Sequence, residues 1–143
     1  MGAVVPFNLD SLIKAVDVLK RSVISAEQNM EDLNSDLQET IKAGVIQNFE
    51  VAYEQCWKFM QRWVRENYAP EEANLPRTRK ELIRVAARSG LISDPVPWFE
   101  FGAARNLTVH TYDLEQAAEA YHTAKRFLPY AEDFVRRLQE RND

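Results

Sequence analysis

Leu37-Gln38-Glu39-Thr40-Ile41-Lys42-Ala43-Gly44-Val45-Ile46-Gln47-Asn48-Phe49-Glu50-Val51-Ala52-Tyr53-Glu54-Gln55-Cys56-Trp57-Lys58-Phe59-Met60-Gln61-Arg62-Trp63 is the stretch that decides the fold. Within it Leu37, Ile41, Val45, Phe49, Ala52, Cys56, Met60 and Trp63 recur at spacings of three and four. That rhythm places them on one stripe of a helix with 3.6 residues per turn. No proline interrupts the run, and no two-residue alternation suggests a strand. Its aromatics Phe49, Tyr53 and Trp57 read as core packing rather than a cofactor box. A long amphipathic helix is predicted here, and it needs other helices to cover its apolar face.

Working outward gives more helix. Leu9, Leu12, Ile13, Val16, Leu19 and Val23 follow the same rhythm, with Asn8 or Asp10 available as a cap. Polar Ser25 to Asp36 contains the first turn. Tyr68 to Pro76 is a proline-bearing loop, and Arg77 to Ser89 a third helix closed by Gly90. Asp94 and the prolines Pro95 and Pro97 restart the chain, and a fourth helix runs from about Trp98 towards His110. Asp113 with Gln116 three residues on resembles a capping box for a fifth helix, reaching to about Gln139. The expectation is all-α: one domain over residues 1–143, an antiparallel up-and-down bundle of about five helices, with residues 1–8 a loose N-terminal segment.

Composition agrees with a globular domain of this kind. Hydrophobic content of 45% and charged content of 28% across 143 residues suffice for a core without metals or disulfides. Cys56 is the sole cysteine, so no internal disulfide forms, and its apolar neighbours mark it as a core residue in a reducing compartment. Met1 to Leu9 is too short and uncharged to read as a secretory signal, and no apolar run has the length of a membrane span. A cytoplasmic protein is expected.

The net charge of −4 argues against nonspecific coating of nucleic acid. Charge is uneven: residues 1–60 hold nine acidic and five basic side chains, residues 61–143 thirteen of each. Any nucleic-acid contact is therefore local. Arg77, Lys80, Arg84 and Arg88 fall on one stripe at helical spacing and are the candidate RNA contacts, although a solvated helix face has the same spacing.

The segment Arg105-Asn106-Leu107-Thr108-Val109-His110-Thr111-Tyr112-Asp113 gathers the chemistry. Arginine holds phosphate in a planar fork, histidine moves protons near neutral pH, and a tyrosine hydroxyl accepts a transferred group. On an ideal helix Arg105 and His110 lie about 140° apart, at 100° per residue. They cooperate only if the helix loosens before Asp113, or if two copies of the chain meet at a two-fold axis and present the patch twice. A composite cleft of that kind cleaves RNA without metal: one histidine deprotonates a 2′-hydroxyl, the other protonates the leaving oxygen, and arginine stabilises the phosphate. The spacing alone is equally that of a helix-end histidine and a salt-bridged arginine. Glu50 and Glu54, one turn apart, read as a solvated pair or as support for this site.

Val45 to Lys58 resembles the second-helix signature of nucleotidyltransferase substrate-binding proteins, a family of the HEPN superfamily. The likeness continues in order through Arg79 to Ile92, with its Ala-Arg-Ser-Gly-Leu-Ile ending, through Trp98, and through Arg105 to Asp113, so it spans most of residues 9–140. Met1 to Phe7 has no counterpart, and Glu27 to Thr40 looks longer than the usual connection between helices.

The resemblance implies a helical-bundle homodimer working with a minimal nucleotidyltransferase. In a toxin–antitoxin pair it implies a metal-independent ribonuclease, without cofactor, whose catalytic residues match Arg105 and His110. Asn106 matches the supporting polar residue after the arginine. Tyr112 matches the tyrosine to which the partner transfers AMP as antitoxin. The older family name implies instead a non-catalytic subunit that presents substrate to the transferase.

Overall fold

A computed structural model describes residues 7–67, 78–108 and 112–142. Five helices follow one another: α1 (Asp10–Asn29), α2 (Ser35–Asn67), α3 (Arg79–Arg88), α4 (Pro95–Leu107) and α5 (Leu114–Glu140). Among the described residues there is no strand, as expected for the all-α class.

The connection that looked long is short, because both flanking helices extend into it. Met30–Asp32 forms one 3-10 turn between α1 and α2. Asn34 Oδ1 accepts the Leu37 N–H at 2.9 Å, and Gln38 Nε2 donates to the Met30 and Leu33 carbonyls, so local polar side chains satisfy the backbone of the corner. Leu37 at the start of α2 stays exposed, and the apolar stripe is fully buried from Val45 to Met60, with Ile41 and Trp63 at its ends only partly so. Ile13, also placed on a predicted stripe, is exposed at the rim of α1.

α3 begins two residues later than the sequence reading, after Thr78 accepts the Glu81 N–H at 3.1 Å. It ends on Gly90 with φ +81°, and Leu91 N–H bonds back to the Ala86 carbonyl at 2.9 Å. This left-handed closure suits glycine because it has no Cβ. α5 passes through Pro129 without being split; the residue is exposed, so water can serve the carbonyl that loses its partner.

The long helices α1, α2 and α5 pack together, while α3 and α4 close one side by packing on each other, on α2 and, for α4, on α5. α1 runs antiparallel to α5, since Lys20 pairs with Glu132 and the Phe7 backbone joins Asn142 through two hydrogen bonds of 2.8 and 2.9 Å. Phe7 lies in the segment expected to be loose, yet it is buried, packs on Phe59 and carries Arg62 over its ring.

Phe127 is the hub of the core where α2, α4 and α5 converge. Its ring stands 5.2 Å from Phe49, 6.1 Å from Tyr53, 5.5 Å from Trp98 and 5.2 Å from Phe101. Edge-to-face packing of this kind fixes the orientation of α4 against α2. The site described next depends on that orientation.

Candidate functional site

α4 presents the motif from its C-terminal end. The helix starts where Asp94 accepts the Val96 N–H, with Pro95 in its first turn, where the missing N–H costs nothing. Expected to run from about Trp98 towards His110, it begins at Pro95 and stops at Leu107. Thr108 explains the stop. Its side chain is buried, and both its N–H and its hydroxyl turn back to the Arg105 carbonyl, the latter at 2.8 Å. Such back-bonding satisfies a helix-end carbonyl that would otherwise be orphaned. The helix has thus ended between the two members of the Arg-x4-His pattern. His110 itself lies outside the described residues, as do Val109 and Thr111.

Arg105 is held from across the bundle. Its Nε stands 3.3 Å from Glu54 Oε1 on α2, and the two side chains are 27% and 32% exposed. Nε is itself buried and has no hydrogen-bond partner among the described residues, so the link is an ion pair without an aligned hydrogen bond. At this partial exposure the attraction stabilises the fold by at most about 1 kcal/mol; its larger effect is to orient the guanidinium. Of the two readings of Glu54, the geometry fits support for the arginine. Glu50 makes no such pair among the described residues.

Beside this pair opens a cavity of about 200 Å³, lined by Tyr53, Arg79, Lys80, Trp98, Phe99, Gly102, Ala103 and Asn106 among others. Tyr53 forms its inner wall. Burial pushes the Tyr53 phenol up, partly offset by the charge and hydrogen bond of Arg79. A Cβ at position 102 would lie 2.8 Å from the Tyr53 hydroxyl, so glycine there lets α4 approach α2. Arg79 also stacks over Trp57 at 4.9 Å.

The remaining candidates divide. Lys80 lines the cavity, Arg84 lies over Phe99 at 5.4 Å, Arg88 is exposed on the same helix, and Arg77 lies outside the described residues. Tyr112 is 83% exposed, just before Asp113, whose carboxylate caps α5 by accepting the Glu115 and Gln116 N–H groups. Cys56 is fully buried, and burial pushes its thiol far up, which makes it a core residue rather than a nucleophile. Among the described residues no group of three or more His, Cys, Asp or Glu is arranged to hold a metal, and no helix is long and apolar enough to cross a membrane.

The family model described as "Nucleotidyltransferase substrate binding protein like" matches residues 8–140. The chain belongs to that family. The chain is 34% identical over 137 residues to a Haemophilus influenzae protein named probable ribonuclease HepT, with 94% of each chain covered. A solved Haemophilus influenzae structure, described as revealing the fold of a substrate-binding domain of a nucleotidyltransferase, superposes with a TM-score of 0.86 at 32% identity, covering 92% of this chain and 99% of that one. A Thermus thermophilus crystal structure follows at a TM-score of 0.70 and 26% identity, covering 89% and 98%. The family match runs from before α1 to the end of α5 and includes the Arg105–Asp113 segment.

Three contributors to the site escaped the sequence reading of this family member. Thr108 stood inside the motif as an unremarked residue, although a threonine near a helix end is a plausible cap. Arg79 was passed over for the Arg77 stripe, because helical spacing alone does not say where a helix is capped. Gly102 gave a signal too, a glycine within a helix that elsewhere avoids it.

Proposed function

We propose that this chain is a metal-independent endoribonuclease of the toxin class, working as a homodimer with Arg105 and His110 as its catalytic residues. The observation that carries the reading is the end of α4 at Leu107, two residues after a braced Arg105. An unbroken helix would set the arginine and the histidine about 140° apart, and α4 does not continue as one helix past Leu107. In a two-fold assembly, His110 of one protomer takes the proton of a 2′-hydroxyl, whose oxygen attacks the adjacent phosphorus. The bond from phosphorus to the 5′-oxygen breaks, a 2′,3′-cyclic phosphate forms, and the second His110 protonates the departing oxygen. Arg105 stabilises the charge that gathers on the phosphate, and Asn106 assists beside it. Exposed Leu107 within the motif and Leu114 just after it supply apolar surface for the second protomer.

In this reading a partner nucleotidyltransferase is the antitoxin. It directs the Tyr112 hydroxyl onto the α-phosphate of ATP, so that AMP is joined to the tyrosine and pyrophosphate leaves. High exposure of Tyr112 supports such access. The added bulk and negative charge beside Arg105 repel RNA. The name of the 34% identical relative supports ribonuclease activity. The alternative, a non-catalytic substrate-binding subunit of a nucleotidyltransferase, draws support from the TM-score of 0.86 to a structure described in those terms.

Cleavage of single-stranded RNA in EDTA separates the two, with intact mass recorded and His110→Ala run alongside. Cutting by the unmodified chain that the variant loses is the expected result. An unmodified, folded protein that leaves RNA intact overturns the nuclease reading in favour of the binding subunit.

A further inference from the structure

Arg79 and Lys80 both line the cavity between α3 and α4, and no carboxylate does. Lys80, Arg84 and Arg88 have no carboxylate within 4.0 Å among the described residues, although the chain as a whole is acidic. Arg79 is pre-positioned by the Trp57 face, over which it lies at 4.9 Å, and it lines the cavity together with Tyr53. A planar cation fixed in this way loses little freedom when it takes an anion. The floor is aromatic, from Trp98 and Phe99, and the α4 side is kept open by Gly102 and Ala103.

The cavity also has a direction. Phe99, Gly102, Ala103 and Asn106 recur at three- and four-residue spacing, so they line one side of α4 over about 10 Å at 1.5 Å per residue. Asn106, at the upper end, is the neighbour of Arg105. A volume of about 200 Å³ falls below the range of about 300–1,000 Å³ for pockets that enclose a whole small-molecule ligand. It suits one sugar-phosphate or one base of a longer strand better than a whole nucleoside triphosphate.

We propose that the cleft between α3 and α4 is a nucleotide subsite, in which Arg79 and Lys80 take an RNA phosphate next to the one cut at Arg105. Its aromatic floor receives the attached sugar or base. This assignment rests on the ribonuclease reading above. It gives the enzyme a grip on the substrate from a helix outside the Arg105–Asp113 segment, and it explains why local positive charge persists on an acidic protein.

The test uses a short fluorescein-labelled single-stranded RNA bound to the full chain carrying His110→Ala. Lys80→Gln and Ala103→Leu are added separately in that background, with Lys14→Gln on α1 as control. All three positions are exposed, and melting curves verify folding. Lys80→Gln is expected to weaken binding several-fold and reduce the salt slope by about one. Ala103→Leu, which fills the cleft without changing charge, is expected to weaken it about ten-fold, and Lys14→Gln to leave it alone. With His110 restored, KM for RNA rises in both cleft variants. RNA binding that neither variant changes overturns the subsite and leaves the nuclease reading standing. Loss of binding in the cleft variants of a protein that never cuts RNA supports the subsite and sinks the nuclease reading. Displacement of the RNA by ATP at comparable affinity overturns the assignment to an RNA strand, and absence of any RNA binding overturns both.

Discussion

Arg105 on α4 and Glu54 on α2 are joined at 3.3 Å, Nε to Oε1, so the first residue of the motif is oriented by a helix that carries none of the rest of it. Removing the charge of Glu54 separates orientation from attraction. Glu54→Gln leaves a more positive guanidinium that still attracts phosphate but is no longer held in place. The expected outcome is a kcat about ten-fold lower with KM unchanged or lower, and a stability loss under about 1 kcal/mol, because the pair is partly solvated. Arg105→Lys keeps the charge and loses the planar fork, and its kcat is expected to fall further, by about 100-fold. Steady-state cleavage kinetics on one RNA checks both. An unchanged kcat in Glu54→Gln would mean that the ion pair is structural only.

Gly102 and Tyr53 make a second pair whose coupling can be measured. An alanine inside an exposed helix gains about 1 kcal/mol over glycine. At position 102 that gain meets a Cβ only 2.8 Å from the Tyr53 hydroxyl, which is packed into the wall and cannot swing away freely. Gly102→Ala alone is therefore expected to be destabilising by about 1 kcal/mol, the overpacking outweighing the helix gain. In a Tyr53→Phe background the same change should become stabilising by several tenths of a kcal/mol. Urea unfolding of the four proteins gives the cycle; additive effects would show that the close approach is not what selects glycine.

Phe127 touches four rings from α2 and α4, so its truncation leaves a void that no single helix can close. Phe127→Ala is expected to cost about 3–5 kcal/mol in chemical denaturation. Loss of less than about 2 kcal/mol would show that the α4 end of the core collapses into the gap, and with it the seating of Arg105.

These three predictions draw unequally on the sequence. The α2 stripe from Val45 to Met60, the Asp113 cap, the Gly90 closure and the proline start of α4 were legible, because each rests on spacing or backbone chemistry local to a few residues. Arg105 and Asn106 were named by type and resemblance. The Glu54 partner was not decided, since 51 residues separate it from Arg105 and only tertiary packing brings them together. Arg79 was missed for a related reason: helical spacing picks out a stripe, but the Thr78 cap and the Trp57 face determine which cation turns towards the cleft. The stop of α4 at Leu107 turned on the Thr108 hydroxyl, one local bond that outweighed a helical pattern continuing towards His110.

Alkaline stability follows from three buried acids. Burial raises the Cys56 thiol and the Tyr53 phenol above their ordinary values, and burial followed by the charge of Glu27 raises Tyr121. A folded-state pKa above the unfolded one means that the native protein holds the proton longer. The contribution is complete below the unfolded pKa and is lost as pH rises through it towards the folded one. For the thiol the loss begins at about pH 8.5 and for the phenols at about pH 10. The melting temperature should therefore be steady, as far as these groups determine it, from neutrality to about pH 8.5, and then fall. Cys56→Ala, itself costing about 1 kcal/mol at neutral pH from the small void, should flatten the first part of that fall and leave the part above about pH 10. Native Cys56 should also resist a thiol reagent at pH 8 until denaturant is added. A melting temperature that rises between pH 8.5 and 10, or rapid labelling of the folded chain, would contradict the burial of this thiol at the centre of α2.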